Sequence, residues 1–188
     1  YYKSGNTKYA EKIFKKMAKK GDAFSWYSSK QIASIYINKG EDELAIKTLK
    51  AAYEKLEFKN IYKKFDYAEF LKNNDKFNEA IKFYTEIIKF IKKDHPLYPE
   101  VTDGRGICYE RIGEWKKAEI DLLSSLDASP EQAYVINYLA YSWIEQGIKI
   151  PQSLEMLKKA NSLKSNDPYI IDSLGWALYK LERYDESE

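Results

Sequence analysis

The 188-residue chain is 44% hydrophobic with a net charge of +2, a balance that supplies a core and excludes a disordered polyelectrolyte. Its 17 Tyr, 8 Phe and 4 Trp stand against only 8 Gly and 5 Pro, too little turn punctuation for an all-β fold. No apolar run reaches the roughly 18 residues of a membrane-spanning helix, and a single cysteine, Cys108, excludes an intramolecular disulfide.

Along the chain a small residue is followed four positions later by a large one at Ala10/Phe14, Ala45/Leu49, Ala80/Tyr84, Ala118/Leu122 and Ser153/Leu157, and Ser187 begins a sixth step. The intervals are 35, 35, 38, 35 and 34 residues, a period found in helical repeat arrays. Five residues before the small position stand Gly5, Gly40, Asp75, Gly113 and Glu182, with Gly147 displaced by one. These are turn positions, where glycine tolerates the positive φ that ends a helix. Twelve or thirteen residues before the small position lie Ala33, Ala68, Gly106, Ala140 and Gly175, where two helices come close. Three residues after those, Tyr36, Leu71, Tyr109, Trp143 and Leu178 complete an apolar stripe at helical spacing.

The pattern predicts pairs of antiparallel helices. First, or A, helices are expected at 26–39, 61–73, 98–111, 131–146 and 168–180, and second, or B, helices at 7–19, 42–56, 77–93, 115–127 and 151–164. Asp94-His95-Pro96, Ser129-Pro130 and Asn166-Asp167-Pro168 stand where a B helix must stop and the next A helix begin. A longer turn at 93–99 absorbs the 38-residue interval, and another lies at 146–151. One hairpin cannot cover its own apolar stripe, so successive hairpins must stack. The expected fold is all-α, a right-handed α-solenoid of antiparallel helix hairpins in a single domain over 1–188. Its units fall at about 1–25 (partial), 26–60, 61–98, 99–132, 133–167 and 168–188 (partial). The chain opens at Tyr1-Tyr2 without a methionine and stops at Glu188 in mid-pattern, so a fragment of a longer chain is expected.

These landmarks resemble the tetratricopeptide repeat (TPR), whose pattern runs Trp, Leu-Gly, Tyr, Gly, Ala, Phe, Ala, Pro over about 34 residues. In the last unit Leu174-Gly175, Tyr184 and Ser187 occupy its positions; in the fourth, Gly106, Tyr109, Gly113, Trp115, Ala118, Leu122 and Pro130 do. With the stretch from Asn137 to Trp143, this C-terminal pair is similar to a segment common in long TPR proteins of Gram-negative bacteria. That likeness points to the bacterial cell envelope (periplasm), with the cytoplasm as the alternative. The pattern departs at Leu71, where an aromatic is usual, at Asp75 in place of glycine, and at Ser153 in place of alanine. Looser geometry is expected at Ser153, without a change of fold.

The resemblance implies a non-catalytic scaffold that holds another protein or an extended peptide on a concave face lined by the A helices. On the positions that face it, the expected apolar anchors are Tyr27, Tyr62, Phe65, Tyr134, Tyr141, Tyr169 and Trp176. Lys30, Asn38, Lys72, Asn73 and Arg111 are expected to meet polar groups of the guest. Ile144, Glu145, Asp172, Tyr179 and Lys180 fall on the same positions. The competing expectation is that several of these aromatics pack against the next A helix. A clamp for a terminal carboxylate, known in some relatives, would want Asn where Ser34 follows Lys30, and is not expected.

Charge is uneven, with 21 Lys/Arg against 14 Asp/Glu in residues 1–100 and 10 against 15 in residues 101–188, or +7 and −5. This supports a further reading, self-association of a basic N-terminal half with an acidic C-terminal half. Another is the recognition arm of a larger enzyme, a glycosyltransferase or peptidase, whose catalytic domain lies elsewhere. Nucleic acid is not an expected partner, because acidic residues interleave the basic ones. Nor is a catalytic, cofactor or metal site. His95 is the only histidine and sits in a turn beside Pro96, and no CxxC, HxxxH, phosphate loop or EF-hand pattern occurs. Acidic pairs such as Asp121/Asp127 are expected at helix starts or on exposed faces.

Overall fold

In the computed structural model, which describes residues 7–20, 24–56 and 60–187, the repeat period resolves into alternating B and A helices. They are α1 (Thr7–Ala18), α2 (Ser25–Ile37), α3 (Asp42–Glu54), α4 (Ile61–Lys72), α5 (Phe77–Ile88), α6 (Tyr98–Arg111), α7 (Trp115–Ala128), α8 (Ala133–Glu145), α9 (Ile150–Leu163), α10 (Pro168–Lys180) and α11 (Tyr184–Ser187). No strand occurs among the described residues. The even-numbered helices up to α10 are A helices. Two compact units, Tyr1–Phe83 and Tyr84–Glu188, meet within α5.

Each A helix ends the same way. Gly40, Asp75, Gly113, Gly147 and Glu182 all have φ between 58° and 81°, the left-handed conformation that reverses the chain. The following amide then donates back to the A helix: Glu41 to Tyr36, Lys76 to Leu71, Glu114 to Tyr109, Ile148 to Trp143 and Arg183 to Leu178, at 2.8–3.0 Å. This is the six-to-one bond of a Schellman cap, and it satisfies carbonyls that the helix leaves open. Gly5 lies outside the described residues, as do Tyr1 and Tyr2. Helix starts are capped less regularly. Asp167 accepts from the Tyr169 amide at 3.1 Å and Asn60 from the Lys63 amide at 2.9 Å.

The small positions are where helices meet. Ala33, Ala45, Ala68, Ala80, Ala118, Ala140 and Ser153 are fully buried. At Gly106 a β-carbon would stand 3.0 Å from Leu122 Cγ and 3.3 Å from the Ala118 carbonyl oxygen. In the first unit the core is aromatic. Tyr53 and Tyr67 stack at 4.7 Å, and Trp26 and Phe83 meet them edge-on at 5.1–6.5 Å. Burial, with Glu79, Glu54 and Tyr53 adding to it, pushes the Tyr67 phenol up to about 12. The second unit buries mainly aliphatics, with Leu122, Val135 and Leu139 around Trp143 and with Leu157 and Ile170 in neighbouring clusters.

Several expected boundaries shift, α2 ending at Ile37 and not at 39 and α3 at Glu54 and not at 56; two others have a visible cause. α5 stops at Ile88 and not at 93: the Phe90 amide closes a turn onto Ile87 at 2.9 Å, while Ile91 and Leu97 stay buried and hold the long connection down. α8 begins at Ala133 and not at 131, because the Gln132 side chain is spent on the preceding turn, donating to the Ser125 and Ser129 carbonyls at 3.1 and 2.9 Å. Asp121 is not exposed, as expected, but buried in an ion pair with Arg105.

Ser153 takes the alanine position within α9, yet its Oγ is buried with no hydrogen-bond partner among the described residues. Such a hydroxyl costs roughly 1–3 kcal/mol, and alanine is the better helix former. Ser153→Ala is therefore expected to raise stability by about 1 kcal/mol. The check is a higher urea midpoint at unchanged slope; a lower midpoint would reject the unsatisfied hydroxyl as a cost.

Candidate functional site

The residues put forward from the sequence lie on the A helices or, for Asn38 and Asn73, at their C-caps, and none of them is buried. What differs is how far each is already engaged. In the first unit, Tyr27 on α2 is exposed and meets Phe14 edge-on at 6.5 Å. Lys30 Nζ lies 2.9 Å from Asp66 Oδ2, which also accepts from Trp26 Nε1 at 3.2 Å. Lys72 Nζ is held by both carboxylate oxygens of Glu69, at 2.8 and 2.9 Å. Both lysines thus have intramolecular counter-ions. Tyr62 is 57% exposed, Phe65 is half-buried, and Asn38 and Asn73 are exposed at the C-caps of α2 and α4.

In the second unit, Arg111 is exposed, 3.6 Å from Glu110, whose Oε2 also accepts from the Tyr138 hydroxyl at 2.8 Å. Burial and then the Glu110 carboxylate raise that phenol well above its ordinary range. Tyr134 is anchored through its hydroxyl to Asp167 Oδ2 at 2.8 Å, with Lys164 Nζ 3.9 Å from its ring centre. Tyr169 is 75% exposed. Ile144 does not share the accessible face: it is buried in the core with Leu154 and Leu157.

Tyr141 and Trp176 come together. With Glu145, Asp172 and Tyr179 they line a groove of about 650 Å3 between α8 and α10, bounded by Ser187 of α11. Gly175 lies in this wall, and a β-carbon there would stand 3.4 Å from the Ser187 carbonyl oxygen. Trp176 and Tyr179 lie one turn apart on α10 with rings parallel, 5.4 Å between centres and 7° between planes. Trp176 Nε1 donates to Glu145 Oε1 at 2.7 Å, which fixes the indole. Lys180 Nζ stands 4.6 Å from the Trp176 ring centre. Burial, then the charges of Glu145 and Asp172, raises the Tyr141 phenol above its ordinary value. Glu145, Asp172 and Tyr179 fell on accessible positions in the sequence but received no binding role there. The signal that could have found them is the acidic balance of residues 101–188.

No three His, Cys, Asp or Glu side chains are grouped to hold a metal among the described residues. No helix there is long and apolar enough to cross a membrane.

Helix hairpins on a register of about 35 residues, with the same left-handed cap after each described A helix, are of the all-α helical-repeat class and have the fold of tetratricopeptide-type repeats. The comparisons agree. A TPR repeat-containing protein of Pseudomonas aeruginosa is 29% identical over 122 residues, covering 64% of this chain and 20% of that protein. The chain therefore spans about one fifth of the length of the curated relative it matches. Among solved structures, MamA (residue 41 to the end) from Desulfovibrio magneticus RS-1 superposes with a TM-score of 0.66 at 16% identity, over 86% of this chain and 88% of that one. A tetratricopeptide repeat protein from Parabacteroides merdae gives 0.66 at 19% identity, over 87% and 62%. At those identities the likeness is one of fold. No family model matches the chain.

Proposed function

We propose that the chain is a non-catalytic scaffold that holds a segment of another protein against its A-helix faces, with the groove between α8 and α10 as the principal contact. The observation that carries this reading is the clustering of Tyr141, Trp176 and Tyr179 in one groove of about 650 Å3. Side-chain aromatics left accessible in a concavity combine large apolar area with a low entropy cost on binding, as anchor residues of interfaces do. Tyr134 and Tyr169 add aromatics on α8 and α10, with Arg111 on α6 as a polar group of the same unit; in the first unit Tyr27, Tyr62 and Phe65 are the aromatic candidates, and Asn38 and Asn73 the polar ones. Lys30 and Lys72 act from within their ion pairs. A single repeat register through 1–188 supports treating both units as parts of one array.

The test is site-specific photo-crosslinking in native cells, with a benzophenone side chain replacing Tyr141, Trp176 or, as a control, the exposed Leu123 of α7. Discrete adducts are expected from positions 141 and 176 and none from 123. Equal adducts at all three positions, or adducts at 123 alone, would remove the groove from consideration.

A further inference from the structure

Resting on that reading, we infer that the groove between α8 and α10 takes an arginine-bearing, extended basic segment of the partner protein. The argument starts from which carboxylates are neutralised. In this unit Asp121 is paired with Arg105, Asp167 with Lys164, and Glu119 with Lys149. Glu100 and Glu131 are exposed acids in no ion pair among the described residues, but Glu145 and Asp172 stand together. Neither has a cationic partner among the described residues, and both line the same groove. Two like charges in one concavity with apolar walls concentrate a negative field there, and after burial it is these two charges that raise the Tyr141 phenol.

The walls add a second preference. The faces of Trp176, Tyr179 and Tyr141 carry the negative side of the aromatic quadrupole, which attracts cations over a ring. Lys180 already uses one such face, with Nζ 4.6 Å from the Trp176 ring centre. Arginine suits the remaining space better than lysine, because a planar guanidinium can lie on a ring while its edge meets a carboxylate in a bidentate fork. An acidic or neutral segment would leave both carboxylates unpaired and would be repelled or indifferent.

The experiment uses fluorescein-labelled nine-residue Ala/Ser peptides carrying, at alternate positions, arginine, lysine, citrulline or glutamate, with binding read by anisotropy. Citrulline keeps the shape and hydrogen-bonding edge of arginine without its charge. Affinity is expected in the order arginine, lysine, citrulline, with glutamate undetectable, and arginine binding should weaken several-fold between 50 and 300 mM salt, as ~10 Å screening predicts. Glu145→Gln with Asp172→Asn should lower arginine-peptide affinity about ten-fold, since each exposed pair contributes a few-fold. Glu145→Gln keeps an acceptor for Trp176 Nε1, so the wall stays in place. Trp176→Leu should weaken the arginine and lysine peptides without changing the salt dependence. Citrulline binding as tight as arginine, an indifferent charge-neutral double variant, or no arginine-dependent binding at millimolar peptide would each overturn the inference. Adducts from positions 141 and 176 would persist if only the charge preference were wrong, and would vanish with it if the groove were not used at all. A salt-sensitive dimer of the chain, abolished by the same double variant, would overturn it in favour of a second copy.

Discussion

Replacing Asp121 by alanine is expected to cost about 3–5 kcal/mol, the range for removing one partner of a buried ion pair. Arg105 Nε and Nη2 approach Asp121 Oδ2 and Oδ1 at 2.7 and 2.8 Å, and Nη1 approaches Thr85 Oγ1 at 3.1 Å. The two side chains are only 18% and 6% exposed. Burial by itself would push the guanidinium down, and hydrogen bonding to Asp121 more than restores it. Without the carboxylate, Arg105 cannot escape the penalty by losing its proton. It must leave the seam, and α6 and α7 must loosen. Urea unfolding followed by helical circular dichroism gives the total, and amide exchange in α6 and α7 localises it, since repeat arrays unfold piecewise. A loss under about 1 kcal/mol would mean the pair is effectively at the surface. Replacing both partners, Arg105→Met with Asp121→Leu, should recover most of the loss, because neither charge is then stranded.

The second large effect is expected at Gly106. A β-carbon alone meets Leu122 Cγ at 3.0 Å and both the Ala118 oxygen and Asp121 Cβ at 3.3 Å. Gly106→Ala should be nearly neutral, since that tight contact is offset by roughly 1 kcal/mol of improved helix propensity. Gly106→Val has two further carbons with nowhere to go. Overpacking of this kind costs typically ~1–3 kcal/mol, and the backbone oxygen of Ala118 cannot step aside, so a value near 3 is expected. Thermal melts of the glycine, alanine and valine forms should place the first two together and the third well below. Valine melting with alanine would show that the seam has slack. Combining Gly106→Val with Asp121→Ala should cost less than the two losses added, because both open the same contact.

The fold was legible because its landmarks are backbone requirements. Gly40 and Gly113 stand where a left-handed residue must be, and the register then identified Asp75 and Glu182 as doing the same task at φ 58° and 60° although neither is glycine. The helix end at Ile88 was hidden, since Ile87, Ile88 and Ile91 keep helical spacing while the chain has already left the helix. Binding positions were legible only as a face. Lys30 and Lys72 read as cations awaiting a guest until Asp66 and Glu69 were seen to hold them. Asp66 is 36 residues from Lys30, and a repeat pattern says which residues share a side, not which are already neutralised. Asp121, read as a surface acid, failed for the same reason.

Lys180 already covers one groove residue, its ammonium standing over the Trp176 ring. On the proposed reading, a visitor that wants this face of the Trp176 indole would have to evict an ammonium tethered one turn away, so docking there would be an exchange and not a simple addition. Weak or singly charged visitors lose that contest, since the tether keeps the lysine at high local concentration. On that reading only a guest that engages the neighbouring carboxylates at the same moment would win it, and the groove would thereby be guarded against indiscriminate cations.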